Sequence, residues 1–142
     1  KLARGLPKLG RQVQLMLLDT NALIWALANP KKFGRQFLRR FEGAGWAYYS
    51  PVSIFELQLL SRKQRGPKLS KDISKMLGEI GLVELSYTTE AAIAAKDFEH
   101  LANTDPFDWM LIAQASASGV DFYTSDSRLL NLGLGFVKDS TV

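Results

Sequence analysis

Five acidic side chains stand at places where their chemistry is not explained by solvation alone. Asp19 directly follows a short apolar run. Glu56 interrupts the apolar stretch Val52-Ser53-Ile54-Phe55-Glu56-Leu57. Asp105 and Asp108 are three residues apart, a spacing that puts both on one helix face. Asp126 comes two residues after the apolar segment that ends at Thr124. Singly, an Asp at such a place is well used as a helix cap, because its oxygen satisfies a free backbone N–H and its charge suits the helix dipole. Together, acids converging on one sheet edge repel one another and stay ionised only with a cation among them. With no Cys and one His, that cation is a hard one held by oxygen, and Mg²⁺ or Mn²⁺ fits.

The elements that must position these acids alternate. Residues 13–18 read as a buried strand, 20–28 as a helix closed by Pro30, and 33–42 as a second helix ended by Gly43 and Gly45. Trp46–Tyr49 is a short aromatic strand, followed by a helix from Ser50 or Ser53 to about Arg65 and a break at Gly66-Pro67. Further helices are expected over about 69–79, 89–101 and 106–118, the last stopped by Gly119. Strands are expected at 82–85 and 121–124, a helical turn at 127–131 and an edge strand at 136–137. Strands separated by helices long enough for a right-handed crossover predict a parallel sheet with helices on both faces. In such a sheet ligands bind at the carboxyl ends of the strands, where Asp19 and Asp126 would lie.

Composition removes whole classes of function. At 142 residues the chain is the size of one domain, with enough apolar residues for a core. The absence of Cys excludes disulfides, zinc-thiolate sites and cysteine nucleophiles, and one His excludes multi-His metal sites. No apolar run approaches a membrane span, and a cytoplasmic protein is expected. The net charge of +4 is unevenly spread: residues 1–75 hold 15 basic and 4 acidic groups, and residues 76–142 hold 3 and 10. Lys31, Lys32, Arg35, Arg39 and Arg40 form one basic cluster, and Arg62, Lys63, Arg65, Lys68, Lys71 and Lys75 another. On the rim of an acidic pocket they would hold a polyanion by its phosphates; alone, each is a solvated helix face. A further group, Lys1, Arg4, Lys8 and Arg11, precedes Met16, and residues 1–15 read as a basic extension ahead of a single domain over 16–142.

Four blocks of this sequence resemble the PIN-domain family, and within it the VapC-type toxins of toxin–antitoxin pairs. They are LLDTNALIWAL with Asp19, SPVSIFELQLLSRKQRG with Glu56, TDPFDWMLIAQASASG with Asp105 and Asp108, and FYTSDSRLL with Thr124 and Asp126. The resemblance implies a three-layer α/β/α fold with a mostly parallel central sheet. It implies Mg²⁺- or Mn²⁺-dependent hydrolysis of RNA, with Asp19, Glu56, Asp108 and Asp126 as the catalytic metal carboxylates. Asp105 is then a further ligand or a helix cap. Thr20, Asn21, Thr124 and Ser125 would orient a carboxylate or water. Lys31, Lys32, Arg35, Arg62, Lys63 and Arg65 would contact the RNA. A homodimer and a cognate antitoxin partner are also implied, and the helices over 20–42 offer an apolar face for either.

Relatives with a DPFD block often carry His and Arg around it, where this chain has Asn103 and Trp109; His100 lies further upstream. Two other readings compete. A phosphotransfer enzyme of the haloacid dehalogenase class would need a second Asp where Asn21 stands. A catalytically inactive nucleic-acid- or protein-binding module would be free to lose acids, yet this set is complete.

Overall fold

A computed structural model describes residues 15–142 of the chain. The basic group Lys1, Arg4, Lys8 and Arg11 and the first residues of the expected 13–18 strand lie outside them. The described chain alternates as expected: β1 (Met16–Leu18), α1 (Thr20–Ala28), a 3₁₀ turn (Pro30–Lys32), α2 (Arg35–Ala44), β2 (Ala47–Tyr49) and α3 (Pro51–Arg62). Then follow α4 (Ile73–Glu79), β3 (Leu82–Glu84), α5 (Thr89–Ala94), a 3₁₀ segment (Ala95–Leu101) and α6 (Pro106–Ser118). The chain closes with β4 (Asp121–Thr124), α7 (Ser127–Leu130) and β5 (Val137–Asp139).

The five strands form one parallel sheet in the order β3-β2-β1-β4-β5. β1 is central, and all three of its residues are buried, as a strand covered on both faces requires. Met16 and Leu18 point into a core with Leu23, Phe33, Phe37, Leu57 and Leu77 from α1 to α4. Leu17 and Phe122 point the other way, into a core with Phe98, Leu111, Ile112 and Leu129. Two apolar layers on one sheet give the three-layer α/β/α architecture.

The order has a functional consequence. From β1 the chain moves outward to β2 and β3, then crosses back to β4 on the other side of β1. The carboxyl ends of β1 and β4 therefore flank the switch point, where crossovers leave in opposite directions and a crevice opens.

Several expected boundaries differ: the helix expected to run to about Arg65 ends at Arg62, and the edge strand expected at 136–137 runs Val137–Asp139. The helix expected over 33–42 runs from Arg35 to Ala44, because Phe33 closes the preceding 3₁₀ turn and only Gly45, at φ 80°, leaves the helix. Gly34 precedes α2 beneath the backbone of residues 140–142, where any Cβ would collide with Val142. The helix expected over 89–101 breaks after Ala94 into a 3₁₀ segment with non-helical φ/ψ at Phe98. Phe98 and Leu101 are both buried in the core there. The helix expected over 69–79 begins only at Ile73.

Candidate active site

Asp19 is placed by the end of β1. Its backbone N–H donates to Tyr123 O (3.0 Å), which continues the β1–β4 pairing, and its side chain caps α1. Oδ1 accepts from the Ala22 N–H at 2.7 Å, and Oδ2 accepts from the Thr124 hydroxyl at 2.6 Å. Only 5% of Asp19 is exposed. Burial raises its pKa to about 6 despite those two hydrogen bonds, and the negative fields of Glu56 and Asp126 add to the rise.

Thr124 does two things. While its hydroxyl donates to Asp19, its oxygen accepts from the Asp126 N–H at 3.0 Å. The strand end is thereby tied to the β4–α7 turn. Asn21 adds a second tie across the same crevice, donating from Nδ2 to Ser125 Oγ at 3.0 Å.

Glu56 comes from the opposite side, on α3. Ser50 starts that helix by accepting from the Val52 N–H, and Pro51 fits its first turn. The Thr20 hydroxyl donates to Glu56 Oε1 at 2.5 Å and is hydrogen-bonded to the buried Ser53 Oγ at 2.9 Å. Burial pushes the Glu56 carboxyl up, partly offset by the Thr20 hydrogen bond, and Asp105 pushes it further.

α6 brings Asp105 and Asp108. Asp105 caps it, accepting from the Phe107 N–H at 2.9 Å, and Asp108 lies in its first turn. Burial, then the charges of Asp105, Asp19, Glu56 and Asp126, raise Asp108 to about 7. Asp126 caps α7 and goes the other way. Its carboxylate binds the Arg128 side chain (2.8 Å to Nη2) and N–H, which hold its pKa below the ordinary carboxylate range. That is the one ion pair among the described residues.

The capping and site readings of these acids are thus not exclusive: Asp19, Asp105 and Asp126 all cap helices, and all add to the negative field on Asp108. The donor set is all oxygen, which suits a hard divalent ion. Among the described residues, however, no three such side chains converge closely enough to enclose an ion. Asp126 is drawn onto Arg128 and Glu56 onto Thr20.

The basic side chains named from sequence stay outside this cluster. Arg62, Lys63 and Arg65 are exposed at the end of α3 and just beyond it; Lys31, Lys32 and Arg35 are exposed around the 3₁₀ turn and the start of α2. Lys32 Nζ sits 5.6 Å from the centre of the Trp25 ring, a cation–π contact. Between α1 and α2, an apolar cavity of about 210 Å³ is lined by Leu18, Ala26, Pro30, Phe33, Phe37, Leu38, Phe41 and Ile80.

Sequence reasoning passed over two participants. Ser53 lies one helical turn before Glu56, a spacing that shares its face. Arg128 lies two residues after Asp126, within reach of the carboxylate it pairs with.

The chain belongs to the PIN-domain family, whose sequence pattern matches residues 16–134. Solved structures with the same fold include VapBC2 from Rickettsia felis bound to a DNA fragment from its promoter, with a TM-score of 0.63 and 13% identity. That match covers 88% of this chain and 98% of the other. DNA-bound VapBC from Salmonella typhimurium superposes with a TM-score of 0.62 at 23% identity, covering 89% and 98%. A toxin–antitoxin complex from Klebsiella pneumoniae does so at 0.58 and 15% identity, covering 87% and 95%. No curated protein matches the chain significantly.

Proposed function

We propose that this protein is a metal-dependent endoribonuclease, the toxin of a toxin–antitoxin pair. The reading is supported by the negative fields that Glu56 and Asp126 put on Asp19, and that Asp105, Asp19, Glu56 and Asp126 put on Asp108, which together with burial raise the two to about 6 and about 7. Such a cluster is costly to the fold, and a cation relieves it.

Asp19, Glu56, Asp108 and Asp126 would hold Mg²⁺ or Mn²⁺, with Asp105 beside them. When bound, the ion supplies charge neutralisation for the phosphodiester and acidifies an attacking water. The chain's own residues set the stage for this. Thr124 fixes the Asp19 carboxylate, Thr20 fixes Glu56, and the Asn21–Ser125 bridge holds the two crevice walls together. No imidazole or ammonium base is required of a chain whose single His, His100, lies on the 3₁₀ segment. The exposed cations Arg62, Lys63, Arg65, Lys31, Lys32 and Arg35 would bind phosphates of the substrate in a salt-dependent way.

The cognate antitoxin and a second copy of the chain are the partners this reading implies. The similar solved structures are VapBC and toxin–antitoxin complexes, and the apolar cavity between α1 and α2 offers a partner a place to bury apolar side chains. The protein would act in the cytoplasm; no helix among the described residues is long and apolar enough to cross a membrane.

The direct test is incubation of the purified protein with total cellular RNA in Mn²⁺, in Mg²⁺ and in chelator. Discrete cuts that need the ion are expected, and their mapped ends would name the substrate. Intact RNA under every condition, from folded protein, would overturn the nuclease reading.

A further inference from the structure

A second concave site lies apart from the carboxylates. It is a cavity of about 90 Å³ walled by α2, β4 and β5. α2 contributes Gln36 and Arg40, four residues apart and so on one helix face. Tyr123 of β4 and Lys138 of β5 are cross-strand partners, which sets their side chains next to each other on one face of the sheet. The Tyr123 ring is buried edge-on against Phe37, with ring centres 5.1 Å apart, and its hydroxyl reaches Arg40 Nη1 at 3.5 Å. Thr124, next in β4, sends its hydroxyl to Asp19. Successive strand side chains leave opposite faces, so the cavity is separate from the crevice.

The charges in this cavity are not balanced. Two cations line it with one carboxylate, Asp139. Neither Arg40 nor Lys138 has a carboxylate within 4.0 Å, because Arg128–Asp126 is the one ion pair among the described residues. The Asp139 carboxylate is turned instead to Thr141, whose N–H and hydroxyl donate to its Oδ1 at 2.8 and 2.6 Å. Two unneutralised cations facing one space repel each other, and an anion between them relieves the repulsion.

We propose that this cavity binds a phosphate group that keeps one ionisable proton, either inorganic phosphate or a terminal phosphomonoester. The proposal goes beyond the nuclease reading and does not depend on it. Room for about three waters, at ~30 Å³ each, suits a tetrahedral anion. The Arg40 guanidinium and the Lys138 ammonium supply charge-assisted donors. Tyr123 accepts from Arg40 and keeps its own proton to donate, and Gln36 adds an amide. Asp139 sets the selectivity, because its Oδ2 is left over as an acceptor. A fully deprotonated oxygen, as in sulfate, meets that atom lone pair to lone pair. The remaining P–OH of phosphate donates to it. A phosphodiester has no such proton, so the interior of a nucleic-acid strand is not the ligand.

The test is calorimetric titration of the full chain at neutral pH without divalent ions. The probes are inorganic phosphate, uridine 5′-monophosphate, sulfate and dimethyl phosphate. Phosphate is expected to bind and to raise the melting temperature by mass action. Sulfate and dimethyl phosphate should each bind at least about tenfold more weakly. Arg40→Ala and Lys138→Ala should each weaken phosphate about tenfold, and Asp139→Asn should remove the preference over sulfate. Arg40 is exposed and Lys138 half-buried, so melting of these variants without phosphate should match the parent. The nucleotide binding as tightly as the free ion assigns the site to phosphomonoesters, and its exclusion assigns the site to the free ion. Absence of binding at millimolar phosphate overturns the site. So does phosphate affinity unchanged when Arg40→Ala and Lys138→Ala are combined. Sulfate or dimethyl phosphate binding as tightly as phosphate overturns the selection by Asp139 and the phosphate assignment with it. Each of these outcomes leaves the nuclease reading to the total-RNA experiment.

Discussion

Asp19 and Asp126 are the same side chain at matching places. Each follows the carboxyl end of a central parallel strand, and each caps the helix that comes next. Their acidities diverge nonetheless. Asp19 is buried, with Glu56 and Asp126 as its charged neighbours among the described residues, and its pKa climbs to about 6. Asp126 is at the surface with Arg128 wrapped on it, and its pKa falls. Secondary-structure position decides where a carboxylate stands, but solvent and partners decide whether it keeps its proton. In this crevice the β1 side is a fixed, strained acid and the β4 side is a relaxed one.

The sharpest way to break this contrast is to neutralise each acid in turn. Asp19→Asn should lower metal-dependent cleavage at least about 100-fold, beyond what loss of an outer-shell partner usually costs, while the melting temperature holds within a few degrees. Retained cleavage would remove Asp19 from the site. Removing its hydroxyl partner should tell mainly on stability. Thr124→Val leaves a buried carboxylate oxygen without its donor and should cost about 1–3 kcal/mol in urea unfolding, with a further rise in the Asp19 pKa.

The pH dependence sharpens the same contrast without mutation. For Asp19 and Asp108 the folded state holds the proton more tightly than the unfolded one. Their contribution is therefore full below about pH 4 and is lost as the pH rises through 6 and 7. The metal-free protein should melt roughly 5 °C lower at pH 8 than at pH 5.5, and Mn²⁺ at pH 8 should restore the difference. Asp126 has the opposite sign, contributing above the ordinary carboxylate range and losing its contribution only as the pH falls below it. A melting curve flat from pH 5.5 to 8 would contradict the buried-acid account. The smallest effect belongs to Arg128→Ala. It should return Asp126 to the ordinary carboxylate range, visible by NMR titration, and leave the melting temperature unchanged because the pair is at the surface.

Much of this architecture is readable in the chain itself, for identifiable reasons. α1 and α6 end where expected because Asp19 and Asn29-Pro30, or Asp105-Pro106 and Gly119, punctuate them with residues of fixed conformational habit. The break at Phe98 is not readable, because α5 and the 3₁₀ segment share an apolar pattern that only packing divides. Strand order is not local information either; five short parallel strands could be wound in several orders. The candidate carboxylates are visible one at a time, as polar residues after apolar runs. Their shared field is not. It depends on α3 and α6 arriving at the carboxyl ends of β1 and β4, and on Thr20 and Thr124 choosing their partners.

The bond from Thr124 to Asp19 spans 105 residues of sequence. β4, which carries that hydroxyl, leaves the ribosome after β1, β2 and β3 have had time to pair. A nascent chain short of residue 124 holds Asp19 without its donor and without the β4 backbone that positions it. The crevice is therefore assembled only once β4 has been made, and a chain that stalls or is truncated before it is left without this arrangement of acids.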